Sequence, residues 1–132
     1  MMKFPYSRPY LSLIDKKEVL SVLDSQFLTQ GPKVDKFEEK LCDVFDVKYA
    51  ITCNSGTSAL HMVYAALGIG PNKGIITTPI TFLATANAAR FCKAPVAFSD
   101  VDPITGNITL EGIKKTIKRV NFKVKAISVV HL

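Results

Sequence analysis

The stretch Cys53-Asn54-Ser55-Gly56-Thr57-Ser58-Ala59-Leu60 decides how this chain is read. It follows a β-rich run, Tyr49-Ala50-Ile51-Thr52, and opens an apolar-periodic helix, Ala59 to Leu67. A strand that ends in small hydroxyl residues and glycine, then turns into a helix, builds an anion site. The unpaired N–H groups of the first helical turn converge on one spot, and the helix dipole favours negative charge there. Gly56 lets the backbone approach a guest closely. Ser55, Thr57 and Ser58 can add hydroxyl donors. Phosphate suits this chemistry. The stretch is not a Walker loop, because no Gly-Lys-Ser/Thr follows, nor a dinucleotide fingerprint, because only one of three expected glycines is present. A Ser/Thr-rich helix start is also a plain cap, so the stretch needs companions before it reads as a site.

The companions come from the flanks. Residues 3–12 read as extended, punctuated by Pro5 and Pro9, and Ser12 or Asp15 can cap a helix through about Leu23. Thr29-Gln30-Gly31-Pro32 is a turn, with Pro32 suited to the first position of the next helix. That helix carries Val34, Phe37, Leu41, Val44 and Phe45 on one face. A strand is expected over Lys48–Thr52, another over Gly74–Thr78 and a third over Pro95–Ser99, with a last one from Val124 to Val130. Gly68 and Pro71 stop the helix that follows the Ser/Thr turn. An alanine-rich helix is expected from about Phe82 to Cys92, and one capped by Thr109 runs through about Val120. Strands alternating with helices imply an α/β fold with a mainly parallel sheet and helices on both faces. Ligands of such sheets collect beyond the carboxyl ends of the strands. Asn54–Ser58, Thr78–Phe82 and His131-Leu132 are expected to leave strands there.

Composition narrows the classes. The 132 residues allow one domain at most, or part of a larger one. The net charge of +6 is densest in Lys114-Lys115-Thr116-Ile117-Lys118-Arg119, read as a solvated helix face with no interleaved aromatics, so no nucleic-acid partner is expected. Cys42, Cys53 and Cys92 form no CxxC pair, so no metal site is expected, and free thiols fit a reducing cytoplasm. Cys42 and Cys92 read as buried small hydrophobes. No signal-peptide core and no apolar run of membrane-spanning length are present. Asp100 and Asp102, beside Pro103 and Gly106, read as turn formers rather than an acid pair. His61 reads as structural.

Three ordered motifs together resemble the DegT/DnrJ-type sugar aminotransferases. They are Asn54-Ser-Gly-Thr-Ser-Ala-Leu60, Thr77-Thr-Pro-Ile-Thr-Phe-Leu-Ala-Thr-Ala-Asn87 and Phe98-Ser-Asp-Val-Asp-Pro103. Arg8-Pro-Tyr-Leu11 and Leu28-Thr-Gln-Gly-Pro32 resemble that family's opening segments. The resemblance implies the aspartate-aminotransferase fold (pyridoxal-phosphate fold type I) and a pyridoxal 5'-phosphate cofactor. It further implies a nucleotide-linked keto-sugar substrate, glutamate as the usual amino donor, and a homodimer. By resemblance, the backbone amides of Thr57 and Ser58 hold the cofactor phosphate, and Gly56 permits the approach. Phe82 matches the aromatic that stacks on the pyridine ring, an arrangement worth about 0.5–1.5 kcal/mol beyond area burial. The Thr29–Pro32 turn matches a segment near the active site or the dimer interface.

The same resemblance places the Schiff-base lysine, and the aspartate that keeps the pyridine nitrogen protonated, beyond Leu132. No catalytic residue is therefore expected within this chain. Residues 1–132 read as a single partial domain: an N-terminal segment plus the start of the cofactor-binding large domain, inactive alone and exposing apolar surface. The alternatives are a non-catalytic phosphate-binding or dimerising remnant, a sugar dehydratase relative, and an unrelated α/β module that binds a nucleotide.

Overall fold

The computed structural model describes residues 7–131. Pro5, within the expected extended opening, and Leu132 lie outside them. The chain divides into two compact units, one up to Thr52 and one from Cys53 onward.

The first unit holds helix α1, Leu13–Leu23, and helix α2, Pro32–Phe45. Ser12 starts α1 with a reciprocal cap. Its Oγ accepts from Asp15 N–H at 3.2 Å, and Asp15 Oδ2 accepts from Ser12 N–H at 2.7 Å. Pro32 occupies the first position of α2, and Asp46 ends that helix in the left-handed conformation. An ion pair joins Glu18 of α1 to Lys33 of α2. No residue of either helix is fully buried, although Val34, Phe37, Val44 and Phe45 share a face.

Lys48–Thr52 is not a strand. Its backbone joins no ladder, and Tyr49 and Ile51 are 75% and 77% exposed. β-branched and aromatic residues make an extended segment, but a strand needs a neighbour to bond. Here one side-chain carboxylate stands in: Glu38 Oε1 accepts from Thr52 N–H at 2.7 Å and from Thr52 Oγ1 at 2.9 Å.

The second unit is built on a three-stranded parallel sheet. Its strands are β1, Lys73–Thr77; β2, Val96–Phe98; and β3, Lys123–Ile127, in the order β2-β1-β3. Between them run α3, Gly56–Ala66; α4, Ala84–Phe91; and α5, Leu110–Arg119. Adjacent residues of a strand face opposite sides of a sheet. Ile75 and Ile76 are both fully buried, so the central strand is covered on both faces. Ile75 joins Tyr64 of α3 and Ala88 and Ala89 of α4 in one core. The alanines of α4 are small enough to let helix and sheet approach closely. Cys92 packs against this core half-buried, and Cys42 is half-buried in the first unit, so neither is the fully buried thiol expected. Thr109 Oγ1 caps α5 by accepting from Gly112 N–H at 3.0 Å.

Val124 pairs with Gly74, but Ala126 pairs with Ile75, so β3 carries one extra residue, Lys125, as a bulge. Gly74 is required by space. A Cβ there would lie 2.2 Å from Pro95 O and 2.5 Å from the Phe122 ring. Gly74→Ala is expected to destabilise the second unit by about 1–3 kcal/mol, as overpacking does; chemical denaturation of the full chain checks it. A second expectation concerns Glu38. The Thr52 N–H bond, and then the Thr52 hydroxyl, lower its pKa from the ordinary 4.5. A carboxylate with a depressed folded pKa stabilises above its unfolded value and loses that contribution as pH falls through the folded one. The protection of the Thr52 amide is therefore expected to fall only as pH drops below the ordinary carboxylate range, whereas Glu38→Gln keeps an acceptor and flattens that dependence; hydrogen exchange followed against pH reads both.

Candidate functional site

Ser55 is the N-cap of α3. Its Oγ accepts from Ser58 N–H at 3.2 Å, and its backbone C=O accepts from Ala59 N–H at 3.0 Å. The Ser55 and Ser58 hydroxyls lie 3.0 Å apart, and Ser58 Oγ donates to Asn54 Oδ1 at 2.7 Å. The first turn thus occupies two hydroxyls and one amide with its own capping. Nothing among the described residues accepts from Gly56 N–H, Thr57 N–H or the Thr57 hydroxyl. These are the donors left at the positive end of the helix dipole. Gly56 is exposed and Thr57 and Ser58 are half-buried, so the tip is open. A Cβ on Gly56 would meet nothing within 4 Å, so nothing inside the chain demands glycine there.

The sheet contributes a second segment. Ser99 N–H donates to Thr77 O at 2.8 Å, and Thr77 Oγ1 donates to Ser128 O at 2.9 Å, which ties the carboxyl ends of all three strands together. Beyond them Thr78 turns the chain, its Oγ1 accepting from Ile80 N–H at 3.1 Å. Phe82 follows, just ahead of α4, and its side chain is 79% exposed, with no ring partner among the described residues. Its backbone C=O accepts from Thr85 N–H at 3.1 Å. Tyr64 Oη, buried, donates to Thr85 O at 3.2 Å and locks α3 to α4.

The structure therefore gathers Gly56, Thr57 and Ser58 into one helical turn and leaves the Phe82 ring outside the packed interior. Asn54–Ser58 does not leave a strand, contrary to expectation, because Lys48–Thr52 is not one. Asp102 is a turn former as read: its Oδ1 accepts from Thr105 N–H at 2.7 Å and Ile104 N–H at 3.0 Å, and these bonds lower its pKa. His61 meets Phe91 edge to face, with centroids 5.6 Å apart. His131 is exposed. The part of Asn54 was missed by sequence reasoning, although the four-residue spacing to Ser58, one helical turn, was its signal. Among the described residues no helix is long and apolar enough to cross a membrane, and no three potential metal ligands cluster.

A sequence model of the DegT/DnrJ/EryC1/StrS aminotransferase family matches residues 11–132. The chain is 43% identical over 125 residues to a UDP-4-amino-4,6-dideoxy-N-acetyl-beta-L-altrosamine transaminase of Campylobacter jejuni, covering 95% of this chain and 33% of that protein. It is 35% identical to a GDP-perosamine synthase of Caulobacter vibrioides, covering 94% of this chain and 33% of that one. Among solved structures, Helicobacter pylori PseC, an aminotransferase of pseudaminic acid biosynthesis, superposes with a TM-score of 0.84 at 40% identity. That match covers 97% of this chain and 34% of PseC. The chain thus spans about a third of the length of the relatives it matches.

Ser55→Ala removes the cap and is expected to cost about 1 kcal/mol of stability. It also frees Ser58 N–H, so amide exchange at Ser58 is expected to rise with it; denaturation and exchange measured on one variant check both.

Proposed function

Since this chain belongs to the DegT/DnrJ/EryC1/StrS aminotransferase family, we propose that it forms the N-terminal part of a pyridoxal-phosphate-dependent enzyme that aminates a nucleotide-linked keto-sugar. The carrying observation is the open tip of α3, where the Gly56 and Thr57 N–H groups and the Thr57 hydroxyl lack acceptors among the described residues. The relative named as a transaminase of a UDP-linked amino sugar supplies the class of reaction.

The tip fits the cofactor's phosphate. The Gly56 and Thr57 amides with the Thr57 hydroxyl would hold it, and the helix dipole would supply complementary charge. Phe82, exposed ahead of α4, would be the residue to cover the pyridine ring and keep water from it. Pyridoxal phosphate, when bound, supplies the electron sink for amino transfer. Residues 1–132 are one partial domain of that enzyme, a cytoplasmic homodimer using glutamate as amino donor. The lysine and aspartate that complete its chemistry belong to the portion of the relatives that this chain does not match.

The test titrates the full chain with pyridoxal phosphate, pyridoxal and ATP, followed by borohydride. Pyridoxal phosphate is expected to bind more tightly than pyridoxal, with no lysine of this chain modified. Thr57→Pro removes both a free N–H and the Thr57 hydroxyl, in the first turn of α3 where proline is tolerated. It is expected to weaken pyridoxal phosphate by at least about tenfold, since each hydrogen bond to a charged group is worth about 1.5–3 kcal/mol, without lowering the melting temperature. Equal binding of the two pyridoxals, or preference for ATP, overturns the reading.

A further inference from the structure

Helix α4 begins without a cap of its own. Its N-cap residue is Leu83, whose side chain offers no acceptor. The start is held from Thr85 instead, a buried residue whose polar groups are all engaged. Its N–H donates to Phe82 O at 3.1 Å, and its Oγ1 lies 2.8 Å from Thr81 Oγ1. Its C=O accepts from Tyr64 Oη at 3.2 Å. Thr85 thus grips both Thr81 and Phe82 and is itself tied to α3. Tyr64, also buried, stands two helical turns after Thr57 on that helix, about 10.5 Å along its axis. Residues so spaced share one face. A chain of bonds therefore runs from α3 through Thr85 to the backbone that carries Phe82, while the Phe82 ring itself is exposed and has no ring partner among the described residues.

We propose that Thr85, anchored by the Tyr64 hydroxyl, is a positioning residue that sets the reach from the tip of α3 to the Phe82 ring, so that both engage one ligand together. This role rests on the aminotransferase reading, which supplies a ligand with a phosphate at one end and an aromatic ring at the other. Two contacts held at a fixed separation before the ligand arrives need not be ordered when it binds. A ligand that carries phosphate alone uses only the tip. The Tyr64–Thr85 bond therefore matters to a ligand that carries both groups and is indifferent to inorganic phosphate.

The experiment titrates the full chain and its variants with pyridoxal phosphate, pyridoxal and inorganic phosphate. Tyr64→Phe keeps the buried ring and removes only the donor. Thr85→Val removes the other hydroxyl of the relay at nearly constant volume, and Thr85→Ser keeps it. Tyr64→Phe and Thr85→Val are each expected to weaken pyridoxal phosphate about three- to tenfold, the share an aromatic contact carries, and to leave inorganic phosphate binding unchanged. Thr85→Ser is expected to bind as the parent chain does. In a Phe82→Ala background, Tyr64→Phe is expected to have no further effect, as for two residues that act through one contact. Equal losses of pyridoxal phosphate and inorganic phosphate in Tyr64→Phe overturn the proposal, because the hydroxyl then supports the tip or the fold rather than the ring. So does a loss that persists undiminished in Phe82→Ala, and so does pyridoxal phosphate binding unaltered by both Tyr64→Phe and Thr85→Val. Pyridoxal phosphate held no more tightly than pyridoxal by the parent chain overturns the aminotransferase reading and this role with it; the other failures overturn this role alone.

Discussion

Burial of β1 on both faces and bonding along both of its edges is the constraint on which the second unit depends. Ile75 and Ile76 cannot both be buried unless something packs on each side of the sheet. On the Ile75 side that covering is α3 and α4, held together through Tyr64, Ala88 and Ala89. The position of those helices in turn decides where the tip of α3 and the Thr78–Phe82 segment stand. The threonines and serine at the carboxyl end finish the job. Thr77 bonds both neighbouring strands, and Thr78 and Ser99 are fully buried without leaving an unsatisfied side-chain atom among the described residues. The ledge beyond the strands is therefore built from satisfied polar groups, the condition under which a polar edge can be rigid.

The tip of α3 divides its labour by atom type. Ser55, Ser58 and Asn54 bond one another, and the leftover donors are mostly main-chain. Side-chain hydroxyls rotate and can be satisfied locally, whereas the amides of the first helical turn have no partner within the helix. An anion held mainly by such amides is recognised by shape and charge rather than by particular side chains.

Much of this was legible because it is encoded locally. Ser12, Thr109 and Pro32 announce helix starts through their own side chains, and each begins the helix it was expected to begin. Glycines and prolines between periodic runs marked the turns, and Asp102 formed its turn with its own neighbours. What was not legible depends on partners distant in sequence. Lys48–Thr52 has strand composition but no neighbouring strand, and its anchor is a carboxylate 14 residues away. The bulge at Lys125, and the crowding of Gly74 by Pro95 and Phe122, depend on neighbours that no local pattern reports. Thr116, amid a lysine-rich run read as solvated, is buried. At the site, local chemistry identified the turn, but the split between occupied and free donors needed coordinates.

The strand order has a consequence for how the chain is made. β1 emerges from the ribosome ahead of both strands that flank it, and Ser128, which Thr77 bonds, is synthesised 51 residues later. At roughly 5–20 residues per second, the innermost strand waits about 3–10 seconds for its last neighbour, holding two adjacent isoleucines that water must meanwhile tolerate.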